Sequence, residues 1–399
     1  MIETQAPPPP TDASGTIPKT IPDENIPAPG STMDQQLPVT PEQLVLVHQG
    51  LSPVANDMVH AYDRDWAMVK LNIDFAKIPS GTDVEAMRNW IRDDYSKIDQ
   101  TPRCKPFRSV VSVETTDVEV KYGENESFRI RIYDPQDKSS GDRPAVLMYH
   151  GGGWIHGSPE NDEELSKFLA SDLRAVVFGI AYRHAPEHNI HTLHNDSYEA
   201  LEWVLSHSVD YRVDSNSVAL WGASAGAHLA AGVAVRDAQE HTPSRICQVN
   251  LVVPVTCHID AIDGILGETL MMKKMEMEKM VGLPLTVDMM VAEFRKLFSF
   301  ITGDGISPTH PLVSPLRYPS PFPINHAPVH ITVAGCDLLA DQGIAYHRML
   351  RDAEIDSTLE ILPGVPHGFT WVAGAQVTKQ WTRQQTRVLD TAFRGIGKQ

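Results

Sequence analysis

Apolar residues along this chain change their spacing twice. From about residue 41 to residue 99, the segments EQLVLVHQGL, NDMVHAYDRDWAMVKL and DVEAMRNWIRDDY carry them three and four apart, the period of one helix face. They predict a small helical layer rather than a sheet. In FRIRIYDP the period falls to two. There Phe128, Ile130 and Ile132 alternate with Arg129, Arg131 and Tyr133, as in a strand covered on one side. Beyond it the short runs AVLMY, AVVFGIAY, SVALWG, VNLVVPV, VHITVAG and TLEIL show no alternation. Between them stand the amphipathic stretches DEELSKFLASDL, NDSYEALEWVLSH, AGAHLAAGVAVRDA and QGIAYHRMLRDAE. Unbroken apolar runs suit strands buried on both faces. Strand–helix repetition therefore predicts an α/β fold, with a mostly parallel central sheet flanked by helices.

Two regions lie outside this rhythm. Residues 1–40 are rich in Pro, Thr, Ser and Asp, with four consecutive prolines at 7–10, and bury too little apolar surface to offset ordering entropy. They are expected to be a disordered or polyproline-like tail. Residues 259–302 interrupt the strand pattern and hold seven of the fourteen methionines, between Met271 and Met290. Methionine fills irregular apolar spaces, so the segment is either helical core packing or the wall of a substrate pocket. The expected division is a tail (1–40), a helical segment (41–110) and a catalytic-size domain (111–399) with an insertion at about 259–302.

Composition narrows the partners. A formal net charge of −17, with no clustering of Lys and Arg, argues against nucleic acid or an anionic membrane surface. Cys104, Cys247, Cys257 and Cys336 are scattered without a CxxC pair, so neither a disulfide framework nor a zinc site is indicated. The N-terminal MIETQAPPPPTDASG has no basic and no apolar signal region, and a cytoplasmic location is expected. Residues 217–235, SVALWGASAGAHLAAGVAV, are long enough to span a bilayer. They consist largely of Ala, Gly and Ser around His228, so no stable membrane insertion is expected.

Three segments at strand ends carry the residue types of nucleophilic catalysis. Gly222-Ala223-Ser224-Ala225-Gly226 is a G-x-S-x-G pentapeptide between a strand and a helix, where a tight turn exposes the Ser224 hydroxyl. A serine hydroxyl needs a base oriented by a third group. Asp337 follows the strand VHITVAG, and His367 lies in the loop of ILPGVPHGF. The chain order Ser224, Asp337, His367 is that of a nucleophile-elbow hydrolase. Asp341 competes with Asp337, which stands nearer its strand end. An unperturbed histidine base would make activity rise through about pH 6–7. HGGGW (150–154) ends the strand AVLMY. Glycines let backbone N–H groups approach a developing oxyanion, and the N–H of Ala225 is the second donor expected. His184-Ala185-Pro186-Glu187-His188 fits H-x-x-E-H, but Pro186 would break the helix that this zinc pattern requires, and no metal is expected.

Together HGGGW, AYRHAPEH (181–188), GASAG, DLLADQG and GVPHGF resemble the hormone-sensitive-lipase-like esterases of the α/β-hydrolase superfamily. The resemblance covers roughly residue 144 to the C-terminus. It implies a sheet under a helical cap, a Ser–His–Asp triad, no cofactor and a small-molecule ester substrate. It places the triad on Ser224, Asp337 and His367, and the oxyanion hole on Gly152, Gly153 and Ala225, with Gly151 in the same loop. The cap would come from 41–100 and 259–302. Ala223, His184, Asn189 and the wording DLLADQG depart from the common pattern without removing a catalytic group. The expected activity is hydrolysis of small to moderate apolar carboxylic esters through an acyl-enzyme. Amide hydrolysis, deacetylation, acyl transfer or a dehydratase-like elimination would use the same residues. A non-catalytic receptor on this fold would lack the base histidine.

Overall fold

The computed structural model describes residues 45–46, 83–90, 111–124, 126–137, 141–262, 287–303, 305–371 and 375–395. All six unalternating runs become strands: β4 (Arg143–Tyr149), β5 (Val176–Ala181), β6 (Val213–Ala223), β7 (Gln248–Val252), β8 (Val329–Ala334) and β9 (Ser357–Leu362). Their side chains are buried along nearly their whole length, as strands covered on both faces require. The six are mutually parallel. Two ten-residue strands, β2 (Val113–Tyr122) and β3 (Glu126–Pro135), add an antiparallel hairpin beside β5, and β1 (Val45–Leu46) lies antiparallel against β9. The order is β1-β9-β8-β7-β6-β4-β5-β3-β2 among the described residues.

That order has one consequence for the site. The chain leaves β4 for β5 on one side, then crosses back to β6 on the other. A crevice opens outside the carboxyl ends of the strands at such a reversal, and there β4 and β6 run side by side. Helices close both faces. On α2 (Glu163–Leu173), Ser166 donates to Met148 Sδ at 3.3 Å; on α3 (Ile190–Ser206), the Ser197 carbonyl accepts from the Tyr149 hydroxyl at 3.0 Å. Successive strand residues point to opposite faces, so α2 and α3 cover opposite sides of β4. The other described α-helices are α1 (Val84–Trp90), α4 (Ala225–Glu240), α5 (Val287–Thr302), α6 (Ala340–Asp352) and α7 (Gln376–Gly395).

Two readings of the sequence are corrected. Val45–Leu46, inside a stretch expected to be helical, is an edge strand paired with Ile361 and Glu360. Short apolar runs such as LVLV carry no decisive period, and the open edge of β9 supplies backbone partners. Tyr133 alternates with the inward residues of β3 yet is fully buried, because its hydroxyl donates to the Pro159 carbonyl at 3.0 Å beneath a turn of 3₁₀ helix. Residues 217–235 are the end of β6, a turn and the start of α4, not one helix. Among the described residues no helix is long and apolar enough to cross a membrane. The Pro-rich segment 1–40 and the methionine-rich stretch up to residue 286 lie outside the described residues.

Candidate active site

Ser224 occupies the turn between β6 and α4 with φ 54° and ψ −116°. A non-glycine residue held there costs about 1–3 kcal/mol and persists only where its surroundings over-determine it. Three constraints do so. The Ser224 N–H donates to the Val252 carbonyl at 2.8 Å, and the Ser224 carbonyl accepts from His228 N–H at 3.1 Å. The flanking glycines are required by space: a Cβ on Gly226 would lie 1.9 Å from the Tyr149 carbonyl oxygen, and one on Gly222 2.4 Å from that of Gly226. Ala225 opens α4, so its N–H is among those left without an intrahelical acceptor, at the positive end of the helix dipole.

Adjacent parallel strands deliver the two partners. The segments leaving β8 and β9 are laced by Gly335 N–H to Leu362 carbonyl (2.7 Å) and Cys336 N–H to Val365 carbonyl (2.9 Å). This brings Asp337 and His367 together. His367 Nδ1 lies 2.8 Å from Asp337 Oδ2, and His367 Nε2 lies 2.8 Å from Ser224 Oγ. A neutral imidazole can fill this arrangement in only one way: Nδ1–H donates to the carboxylate, and Nε2 accepts from the serine hydroxyl. The second oxygen of Asp337 accepts from Leu339 N–H at 2.9 Å, so the residue also caps the turn into α6. It is Asp337, not Asp341, that holds the imidazole.

Electrostatics tune the His367 imidazole. Burial acting alone would lower the pKa of His367 and is the largest single influence. The charge of Asp337 and the hydrogen bond to it together outweigh burial, so the imidazole titrates above its ordinary 6.5. Asp337 is 3% exposed and His367 about a third exposed, at 32%. The acid limb of any reaction using this base therefore lies higher than an unperturbed histidine would give.

The glycine loop lies against the elbow: a Cβ on Gly151 would be 3.2 Å from the Ala223 carbonyl oxygen and 3.6 Å from Ser224 Cβ. Gly152 has φ +125° and Gly153 φ +57°. The carbonyl of Gly152 accepts from Ile155 and His156 N–H groups, each at 3.2 Å. In a trans peptide the following N–H, that of Gly153, points the opposite way, out of this turn. Trp154 anchors the loop, buried with φ 64°; its Nε1–H donates to His228 Nδ1 at 3.2 Å and its ring centroid lies 5.1 Å from that of Phe298 on α5. Leu297, next to it, would meet a Cβ on Gly153 at 3.3 Å. Arg295 fastens the same helix to Asp260 at 2.8 Å. Thus α5, from the expected insertion, stands over the candidate donors.

The HAPEH segment is a turn, not a helix. Glu187 pairs there with Arg88, and Asn189 caps α3 by accepting from His191 and Thr192 N–H groups at 3.1 and 3.3 Å. Among the described residues, no group of three or more His, Cys, Asp or Glu side chains is placed to hold a metal ion.

The sequence profile of the α/β-hydrolase fold family matches residues 146–371. The chain belongs to this family. The α/β-hydrolase match spans the elbow and both partner loops, in keeping with the resemblance read from the motifs. Curated relatives include an AB hydrolase superfamily protein of Schizosaccharomyces pombe, 30% identical over 241 residues, 59% of this chain and 67% of that protein. Another is the ethyl acetate hydrolase of Pseudomonas putida, 28% identical over 259 residues, 64% of this chain and 75% of that protein. Among solved structures, a thermostable Pseudomonas putida esterase superposes with a TM-score of 0.69 at 22% identity, covering 84% of this chain and 98% of that one. The esterase of Pyrobaculum calidifontis gives 0.68 at 24%, covering 83% and 98%. At these identities the structural matches speak for the fold.

Proposed function

We propose that this α/β hydrolase is a serine carboxylesterase in which Ser224 attacks the ester carbonyl. His367 Nε2 takes the hydroxyl proton as the Oγ–C bond forms, and Asp337 orients and stabilises the imidazolium. The carbonyl oxygen, now an oxyanion, lies toward the N–H groups of Gly152, Gly153 and Ala225, with Gly151 shaping the loop. Collapse of the tetrahedral intermediate breaks the bond to the alcohol, which leaves with the proton from His367. Water, deprotonated by the same imidazole, then attacks the acyl-Ser224 ester, and the carboxylic acid departs as Ser224 regains its proton.

The observation that carries this reading is the unbroken relay of two 2.8 Å contacts, Ser224–His367–Asp337. A receptor on this fold would have no use for an oriented base. The activity named for the ethyl acetate hydrolase relative supports an ester substrate. Trp154, Leu297 and Phe298 give the donor loop apolar neighbours, which suits an acyl or alcohol group of small to moderate size.

A panel of p-nitrophenyl acetate, butyrate and octanoate, run beside the matched p-nitroanilides, tests the reaction class. The short esters are expected to turn over faster than the octanoate, and every ester faster than its anilide. Anilides hydrolysed as fast as esters would move the assignment to amidase.

A further inference from the structure

Arg88 comes from α1, far in sequence from every strand-end loop, yet it ends on two of them. Its Nε–H donates to the Ile155 carbonyl at 2.7 Å, and its Nη2 donates to the Ala185 carbonyl at 3.1 Å. The guanidinium also grips both oxygens of Glu187, at 2.8 Å through Nη1 and 2.9 Å through Nη2. One planar fork thus joins the glycine loop after β4 to the HAPEH turn after β5. A backbone bond from Ala185 N–H to the Trp154 carbonyl, 2.9 Å, runs beside it.

We infer that Arg88 is a positioning residue for oxyanion stabilisation, holding the glycine loop in the orientation its N–H donors need. The inference rests on the esterase reading above. The link is short. Ile155, whose carbonyl Arg88 holds, donates its own N–H to the Gly152 carbonyl. That carbonyl sets the peptide plane between Gly152 and Gly153, and hence the direction of the Gly153 N–H. Releasing Ile155 frees the plane that aims a donor.

The geometry suits arginine alone. A lysine ammonium has three donors at one point and cannot reach two carbonyls and both oxygens of a carboxylate in a fixed plane. The neighbouring histidines do not replace it as cations. Burial, followed by the charges of His184 and Arg88, pushes His156 down to about 3; burial and then Arg88 push His184 down to about 4. The ion pair itself should contribute little to overall stability, because Arg88 and Glu187 are 32% and 54% exposed.

A donor-aiming role and a merely structural role separate by experiment. Arg88→Ala and Arg88→Lys are compared with the unaltered chain by steady-state kinetics on p-nitrophenyl butyrate. Active sites are counted by organophosphonate titration, and affinity for a trifluoromethyl ketone, whose serine adduct carries an oxyanion, is measured. Misplacing a group by about 1 Å costs on the order of 100-fold. Arg88→Ala is therefore expected to lose ~10- to 100-fold in kcat per titrated site, with KM within about twofold and ketone affinity falling in step with kcat. Arg88→Lys should fall between. Unchanged turnover per titrated site in both variants, whether or not the count of sites falls, overturns the inference. If Arg88→Ala does not fold, the lysine variant alone decides by the same criterion. Ser224→Ala, run in parallel, keeps the two questions apart: hydrolysis surviving in that control defeats the esterase reading itself, whatever Arg88 does.

Discussion

Ser224→Ala is expected to lower kcat on short-chain esters by on the order of 10⁶-fold, equivalent to about 8 kcal/mol of transition-state stabilisation. The size follows from the number of functions lost with one atom. Without Oγ no covalent intermediate forms, and His367 has no proton to take. The residual rate would come from water attack assisted by the donor loop. The change should barely affect folding. Alanine takes the same φ of 54°, and the constraints on the turn are backbone bonds and the space at Gly222 and Gly226, none of which involves Oγ. The lost hydrogen bond to His367 is worth about 1 kcal/mol. Because the relay acts as one unit, adding His367→Ala to Ser224→Ala should cost little more. Thermal melts beside kinetics check both halves; substantial turnover by a folded Ser224→Ala protein would remove the nucleophile assignment.

The second large effect is expected at Gly152, and it differs from the effect at its neighbour. A Cβ on Gly152 would sit 2.1 Å from the His156 carbonyl oxygen and 2.6 Å from His156 Nδ1, at a φ of +125° that side chains rarely adopt. The loop must move, taking its donors with it. Gly152→Ala should therefore cost ~10²- to 10³-fold in kcat, the loss typical of one oxyanion donor, together with ~1–3 kcal/mol of stability. Gly153 is more forgiving. Its φ of +57° is open to other residues at about 1–2 kcal/mol. A Cβ there meets Leu297 Cδ1 at 3.3 Å, the end of a flexible side chain. Gly153→Ala keeps its N–H near its place and should lose less than about tenfold in kcat. Since the clash at Gly152 disturbs folding and donor placement together, kcat per titrated site is the quantity that reports on catalysis there. A Gly152→Ala protein with unaltered turnover per site would reduce the loop to a turn.

Much of this site was legible in sequence because its chemistry is local. G-x-S-x-G between a strand and a helix encodes the elbow within five residues. Asp337 and His367 each follow a strand whose unbroken apolar run marks it as central. The parallel order then places those ends side by side. Less legible were elements whose partners are distant. Strand β2, VETTDVEVKY, is mostly polar, and only Val120 along it is buried, so it carries little apolar signal. Helix α7 is covered through Thr378, Thr382, Gln385 and Thr386 as well as Trp381 and Leu389, a buried face that a search for apolar spacing passes over. Gln385 there bridges Asn250 and Thr332 in the sheet at 2.9 and 3.1 Å. The Arg88 fork could not be foreseen, because nothing in DVEAMRNW distinguishes its arginine from a solvated one. Only the return of HAPEH to the glycine loop gives that residue partners.

The most direct measurement is the pH dependence of phosphonylation by an organophosphonate, with the adduct located by peptide mass spectrometry. The base must be neutral to accept the Ser224 proton, and Asp337 favours its protonated form. The rate should thus be low at acid pH and rise through a midpoint above 6.5, with a single adduct on Ser224. Asp337→Asn should move that midpoint down and slow the reaction. An adduct on another residue, or a rate flat between pH 5 and 8, would contradict a Ser224 nucleophile driven by His367.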